Sequence, residues 1–191
     1  MKKTLLSAIT VLALSAFTIF SGPWKNDHAH SQLGFTVTHL GVSDVSGTFN
    51  DFNVVINSTK ADFSDATFEL TAKAASIDTR VGMRNDHLKS PDFFDAEKYP
   101  TLSFKSTLLK KAGKDKYKLA GNLTIHGVTK PVTMDLSYNG TIDHPMNKKQ
   151  VAGFTLSGTI KRSDFDLGAK FPAPMISDEV RIHASGEFTQ N

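Results

Sequence analysis

The chain has 191 residues, with 22 basic against 19 acidic side chains, seven histidines and no cysteine. A formal charge of +3 with no concentrated excess of Lys and Arg excludes nucleic acid as a partner, because that binding needs a basic patch. The lack of cysteine excludes a disulfide framework and a lipid-attachment thiol, so stability rests on a hydrophobic core, for which about 170 residues suffice as one domain.

Met1-Lys2-Lys3 followed by the apolar stretch 5–20 has the order of a secretory signal peptide, assigned to residues 1–22. The stretch is short for a bilayer span, which needs about 20 apolar residues. No clean small-x-small triplet marks the cleavage point, and Leu14-Ser15-Ala16 and the Ser21-Gly22 region are both open to it. Loss of the leader removes Lys2 and Lys3, so 20 basic residues face 19 acids and the domain, 23–191, carries +1. Export favours a bacterial periplasm, or the medium beyond it.

The next segment, Asp27-His28-Ala29-His30, resembles a short metal-ligand cluster, since alternate residues of a strand share a face. No second group of ligands stands at a recognisable spacing, so no metal is expected. Period-2 alternation then recurs along the chain. Leu33, Phe35 and Val37 share one face, as do Phe68, Leu70, Ala72 and Ala74. Leu102, Phe104 and Leu108 follow, then Tyr117, Leu119, Leu123 and Ile125, then Val132, Met134, Leu136 and Tyr138. The last two sets are Phe154, Leu156 and Ile160, and Val180, Ile182, Ala184 and Phe188. One run, 48–56, changes phase between Phe49 and Phe52 and predicts a bulge or bend. These are about eight strands with one apolar side each. Turn signals separate them at 57–65, 111–115 and Gly127, and Pro131 is placed at a strand's first position. Asn139-Gly140 is a hairpin cue without a clear place.

Short connections favour antiparallel neighbours. Alternation alone serves a two-sheet sandwich as well as a barrel; the even strand number, which lets a sheet close and lose its edges, favours the barrel. Gly121, Gly158 and Gly186 stand where an inward side chain is due, either relieving corners or shaping an elongated apolar cavity. Such a cavity selects hydrocarbon, since each buried CH₂ contributes about 0.8 kcal/mol.

The segment 84–100 is too long and too mixed for a hairpin. Asp86, His87 and Asp92 offer an acid–base pair but no nucleophile accompanies them, so no catalytic residues are assigned. Ser90-Pro91 reads as an N-cap with proline at the first helical position. A helical turn there turns Phe93, Phe94 and part of Tyr99 to an apolar surface, while Arg84, Asp86 and Asp92 bond to nearby backbone, forming a lid across a barrel mouth.

Several blocks then converge on one family. Ser76-Ile77-Asp78-Thr79, Arg84-Asn85-Asp86-His87-Leu88-Lys89-Ser90, Asp92-Phe93-Phe94-Asp95 and Lys98-Tyr99-Pro100 resemble the YceI-like polyisoprenoid-binding family. So do residues 30–49, 121–132, 152–154 and 160–165, in the same order along nearly all of the mature chain. The resemblance implies an all-β, eight-stranded antiparallel, lipocalin-like barrel, exported to the periplasm and without catalytic activity, to which the segment 84–100 adds the short helical lid. It implies a long apolar channel holding an isoprenoid lipid, such as a polyprenyl pyrophosphate or an isoprenoid quinone, and no other cofactor. Two positions depart from the family: Asn85 follows the motif arginine where Asp is usual, and the 164–166 block has Asp where Gly is common.

The channel-lining set is therefore Phe35, Val37, Phe68, Leu70, Phe104, Leu123, Met134, Phe154 and Ile182, and the lid set is Arg84, Asp86, His87, Phe93 and Phe94. Arg84, Lys89 and Arg162 are the cations placed to meet an anionic head group, against a simpler role in ordering loops. Partner expectations are the lipid itself, transient contact with a membrane, and a homodimer. The rival reading is a structural or stress-protective protein with a filled barrel core.

Overall fold

The computed structural model describes residues 22–190. The leader expected over 1–22 lies outside these residues except for Gly22. Ten strands form one antiparallel sheet: β1 (Trp24–His39), β2 (Ser43–Phe49), β3 (Phe52–Asn57), β4 (Thr67–Lys73), β5 (Ile77–Asp78), β6 (Thr101–Gly113), β7 (Lys116–Ile125), β8 (Val128–Asp143), β9 (Gln150–Lys161) and β10 (Glu179–Gln190). Among the described residues one α-helix, α1 (Gly82–Lys89), and two 3-10 turns, Ala74–Ser76 and Arg162–Phe165, interrupt them. Pairing of β10 with β1 closes the sheet, with Phe35 opposite Ile182 and Trp24 opposite Gln190.

The wall is a closed eight-stranded barrel, because β2 and β3 are two halves of one broken stave. β2 pairs with the second half of β1, whereas β3 pairs with its start and with β4. The break at Asn50–Asp51 is the phase change read from Phe49 and Phe52, both of which are buried. Backbone bonds hold the bend: Asn50 N–H donates to Ser76 O at 3.1 Å and Lys73 N–H to Asp51 O at 2.9 Å. β5 adds two residues to β2 outside the ring.

Three local expectations change on folding. Leu108 is exposed, because the register of β6 against β7 slips by one residue between Ser106 and Leu108 and turns the following side chains over. Leu109 packs on the core instead. Pro131 lies inside β8, opposite Asn122, and not at its start. It is tolerated because β9 joins β8 only from Asp135 onward, so no neighbouring strand needs its missing N–H. Asn139-Gly140 makes no hairpin but a bulge in β8, where Tyr138 faces Phe154 and Gly140 faces Gly153.

One end of the barrel is stopped by aromatic rings. Phe63, on the β3–β4 connection, is 2% exposed and sits among Trp24, Tyr138 and Phe154 with ring centroids 5.0–5.2 Å apart. Phe188 and Phe68 complete the plug against Phe154. Burial of a ring like Phe63 contributes about 2–3 kcal/mol, enough to hold its backbone in the left-handed region at φ 55. The connection is tied by Asp65, which accepts Ser58 Oγ, Thr59 N–H and Thr59 Oγ1 at 2.5–3.0 Å, and by Tyr117 Oη donating to Asp62 O.

Burial raises the Asp65 pKa, but these bonds from Ser58 and Thr59 outweigh it and hold the carboxyl well below its ordinary value. A depressed folded pKa stabilises fully above the unfolded carboxylate range, and that contribution is lost as pH falls below about 4. Asp65→Asn, which puts an amide where an acceptor is needed, is therefore expected to lower Tm at pH 7 while flattening its fall between pH 4 and pH 2. Thermal unfolding followed by circular dichroism across that range checks it.

Candidate functional site

Above the aromatic plug the barrel is hollow. A cavity of about 530 Å³ runs from Phe154, Phe68 and Phe188 at the floor to Arg84, His87 and Phe171 at the mouth. That volume is within the ~300–1,000 Å³ typical of small-molecule sites. All nine residues expected along the channel stand on its wall. They fall into two groups. Phe68, Met134 and Phe154 are buried against other side chains, and Phe154 belongs to the floor as much as to the wall. Phe35, Val37, Leu70, Phe104, Leu123 and Ile182 are half-buried, and line the hollow above it.

The inward glycines shape this wall indirectly. The ring of Phe104 lies where a Gly121 side chain would stand, and the Met134 sulfur where one on Gly158 would. Their space is occupied by cross-strand neighbours lying flat on the sheet, not left empty. At Gly186 the neighbour is Ser31 Oγ, which an added Cβ would meet at 2.6 Å.

Two connections cover the other end, 79–100 and 162–178. The helix of the first lies before Ser90, not after it. Pro91 restricts its predecessor to extended backbone, so Ser90, at ψ 170, stops α1 instead of starting a helix. Ser90 Oγ donates to His87 O at 2.8 Å in that capping role. α1 buries no residue completely; it is held by polar bonds to the segment before it. Asn85 Oδ1 accepts Thr79 N–H and Thr79 Oγ1 at 2.8 and 2.6 Å, and Asn85 Nδ2 donates to Asp78 Oδ1 at 3.0 Å. Arg84 donates from Nε to Thr79 Oγ1 and from Nη2 to Thr79 O, both at 2.8 Å.

Asp86 has no part in this: it is exposed, off the cavity wall, and paired only with Lys89 at 3.5 Å. The departure at 85 thus does not pass the ordering role to the next carboxylate. An amide both accepts from Thr79 and donates to Asp78, which a carboxylate cannot do. The Arg80 backbone N–H and then Asn85 hold Asp78 below its ordinary pKa.

The two connections interlock. Phe93 is buried and stacks on Phe171 with centroids 5.2 Å apart, and the His87 ring stands edge-on to both. Gly168 N–H donates to Asp92 O at 3.1 Å, and Phe93 packs over Gly168. Phe94 points to the barrel and meets Phe49 edge-to-face at 5.6 Å. The Asp92 side chain, expected on backbone, instead takes Lys170 Nζ at 2.5 Å and lies 3.2 Å from His87 Nε2. Lys170, then His87, keep its pKa low.

Of the three cations considered for a head group, Arg162 is committed elsewhere. It is buried and donates to the carbonyls of Ser177, Leu167, Gly168, Phe171 and Ile176, which organises the second connection. Asp166 follows in the left-handed region at φ 56, which explains why glycine suits that position and why Asp is tolerated there. Lys89 is not on the cavity wall. Arg84 is on the wall, and has no carboxylate partner and no bond from Nη1 among the described residues.

Near β1's bulge, Asp27, His30 and Glu187 bring one potential ligand atom each within 4.8 Å of one another. His28 does not join them and packs instead on Phe52. Glu187, across the β1–β10 ladder, is invisible to a search of local spacing. His30 Nδ1 meets Asp27 Oδ2 at 2.9 Å, and this bond, with the nearby Glu187 charge, raises the His30 pKa, so the group reads as a surface ion pair.

Two substitutions test the lid's construction. Arg162→Lys cannot reproduce a five-donor fork, and is expected to cost about 3 kcal/mol, measured by urea unfolding. Asn85→Asp sets two carboxylates against each other, and is expected to speed amide exchange in 79–90 at pH 7 with partial recovery near pH 4.

Comparison with known proteins agrees with this architecture. The model of the YceI-like domain matches residues 24–188. The UPF0312 protein plu2095 of Photorhabdus laumondii is 40% identical over 177 residues, which is 89% of this chain and 91% of that protein. BcnA of Burkholderia cenocepacia superposes with a TM-score of 0.76 at 27% identity, over 85% of this chain and 98% of that one. A domain of Saccharophagus degradans, described as polyisoprenoid-binding and implicated in plant cell wall breakdown, shares the fold with a TM-score of 0.67 at 16% identity, over 90% and 99%. A closed barrel with an interlocked lid over an apolar hollow, and a family match spanning that whole unit, lead to one assignment: the chain belongs to the YceI-like domain family.

Proposed function

We propose that this protein is an exported, periplasmic binder of an isoprenoid lipid, holding a polyprenyl or isoprenoid-quinone tail in the barrel for carriage or storage. One observation carries the reading: the interior is a hollow of about 530 Å³ walled by hydrocarbon, with its charged groups confined to the mouth end. A sugar or nucleotide would leave polar atoms unpaired in such a site. A branched hydrocarbon loses nothing there, and gains about 0.8 kcal/mol for each CH₂ taken from water. The polyisoprenoid-binding description of the Saccharophagus degradans domain, which shares this fold, supports the same ligand class.

The roles divide by position. Phe35, Val37, Leu70, Phe104, Leu123 and Ile182 contact the tail, with Phe68, Met134 and Phe154 beneath it. Phe93, beside His87, and Phe94, against Phe49, close the mouth, while Arg84 offers its unused Nη1 to an anionic or carbonyl head group. Asp86 is outside the site. In this reading the His87–Asp92–Lys170 chain acts as a clasp between two loops, and the protein acts as a binder.

Native mass spectrometry of the protein purified from its own source, followed by organic extraction, tests the reading. The expected result is an adduct that extraction releases as an isoprenoid; a bare chain mass in every preparation favours a structural role. Leu123→Trp with Ile182→Trp, which fill the hollow, are expected to remove the adduct while leaving cooperative unfolding intact.

A further inference from the structure

The mouth of the cavity carries large apolar side chains that face water. Each of the three elements around it contributes. Leu40 and Val42, on the β1–β2 turn, are 55% and 83% exposed, and Val81 and Met83, at the start of α1, are 43% and 85% exposed. Met175, on the second lid connection, is 45% exposed. The other exposed large hydrophobics among the described residues, Leu108, Ile142 and Met146, lie on β6 and about the β8–β9 turn, away from the mouth.

Three of the five are tied to groups that line the cavity mouth. Leu40 N–H donates to Met175 O at 3.1 Å, and His39 and Met175 both line the cavity. Met83 stands one helical turn before His87 on the same flank of α1, and His87 lines the cavity as well. None of the five belongs to either cluster of the barrel core. Clustered apolar exposure of this kind marks a surface that meets something other than water.

We propose that this rim is a membrane-docking surface, on which Val42, Met83 and their neighbours enter a bilayer's headgroup–acyl boundary and bring the cavity mouth against hydrocarbon. It rests on reading the cavity as a lipid site. The occupant follows from continuity: the apolar rim runs directly into the apolar wall, so a tail passing between them stays out of water throughout. The rim comes from three separate elements set around an opening, which suits a fluid apolar phase better than one complementary protein groove. Charges there are mixed, with exposed Arg80 and exposed Asp86 on and beside α1, so insertion depends on apolar contact and not on anionic lipid.

Flotation of the purified protein with vesicles of phosphatidylethanolamine and phosphatidylglycerol tests the surface, comparing wild type with a Val42→Ser, Met83→Ser variant. Wild type is expected to float at low and high salt alike, and the variant to bind at least about tenfold more weakly. Both are expected to show the same thermal unfolding and the same uptake of a detergent-dispersed isoprenoid. Wild type remaining with the soluble fraction, or the variant floating equally well, overturns the docking surface. Failure of both chains to take up the dispersed isoprenoid sinks the lipid reading of the cavity, and the docking surface with it.

Discussion

Closure of the sheet is the constraint on which everything else depends. Once β10 pairs with β1, the wall's backbone N–H and C=O groups are engaged in ladders along most of its length, so the inward face is decided by side chains. Alternation makes those side chains apolar, and eight staves set a diameter at which an interior either just fills or holds one small ligand. This barrel fills at one height and stays open at another. Rings around Phe63 fill the lower part, and the upper part stays hollow.

The two ends are closed by different physics. The lower plug is a set of interlocking aromatic rings, whose disruption exposes apolar surface and leaves a void. The upper cover has aromatic contacts of its own in Phe93 and Phe171, but its frame is polar: the Asn85 amide, the Arg162 guanidinium and the Lys170–Asp92–His87 chain. Exposed ion pairs of the last kind contribute little, typically less than about 1 kcal/mol. Water can replace such bonds one at a time, whereas it cannot replace a ring in a closed core.

Much of the wall was legible in the sequence because period-2 alternation is a direct imprint of a one-sided sheet. The phase change between Phe49 and Phe52 even marked the broken stave. What escaped depends on partners distant in the chain. Phe63 sits in a polar connection that reads as a turn, and only the closed barrel shows it as a stopper. Leu108 has the right phase until a bulge turns it outward. Arg162 looks like a free cation, yet five carbonyls converge on it from a single connection that has no periodicity to read. At Ser90-Pro91 one local signal has two meanings, and the helix lies on the side that the proline's steric demand on its predecessor allows. For the candidate site, alternation marks which side chains share the inward face, but the lid's working groups, Asn85 above all, have no such pattern.

Burial of hydrocarbon is the proposed basis of binding in this hollow. Calorimetric titration with a series of polyprenols that differ only in the number of isoprene units tests it most directly. Affinity is expected to climb with every added unit until the cavity is full, accompanied by a negative heat-capacity change that grows in step. Affinity that is indifferent to tail length, or set by the head group alone, would contradict it.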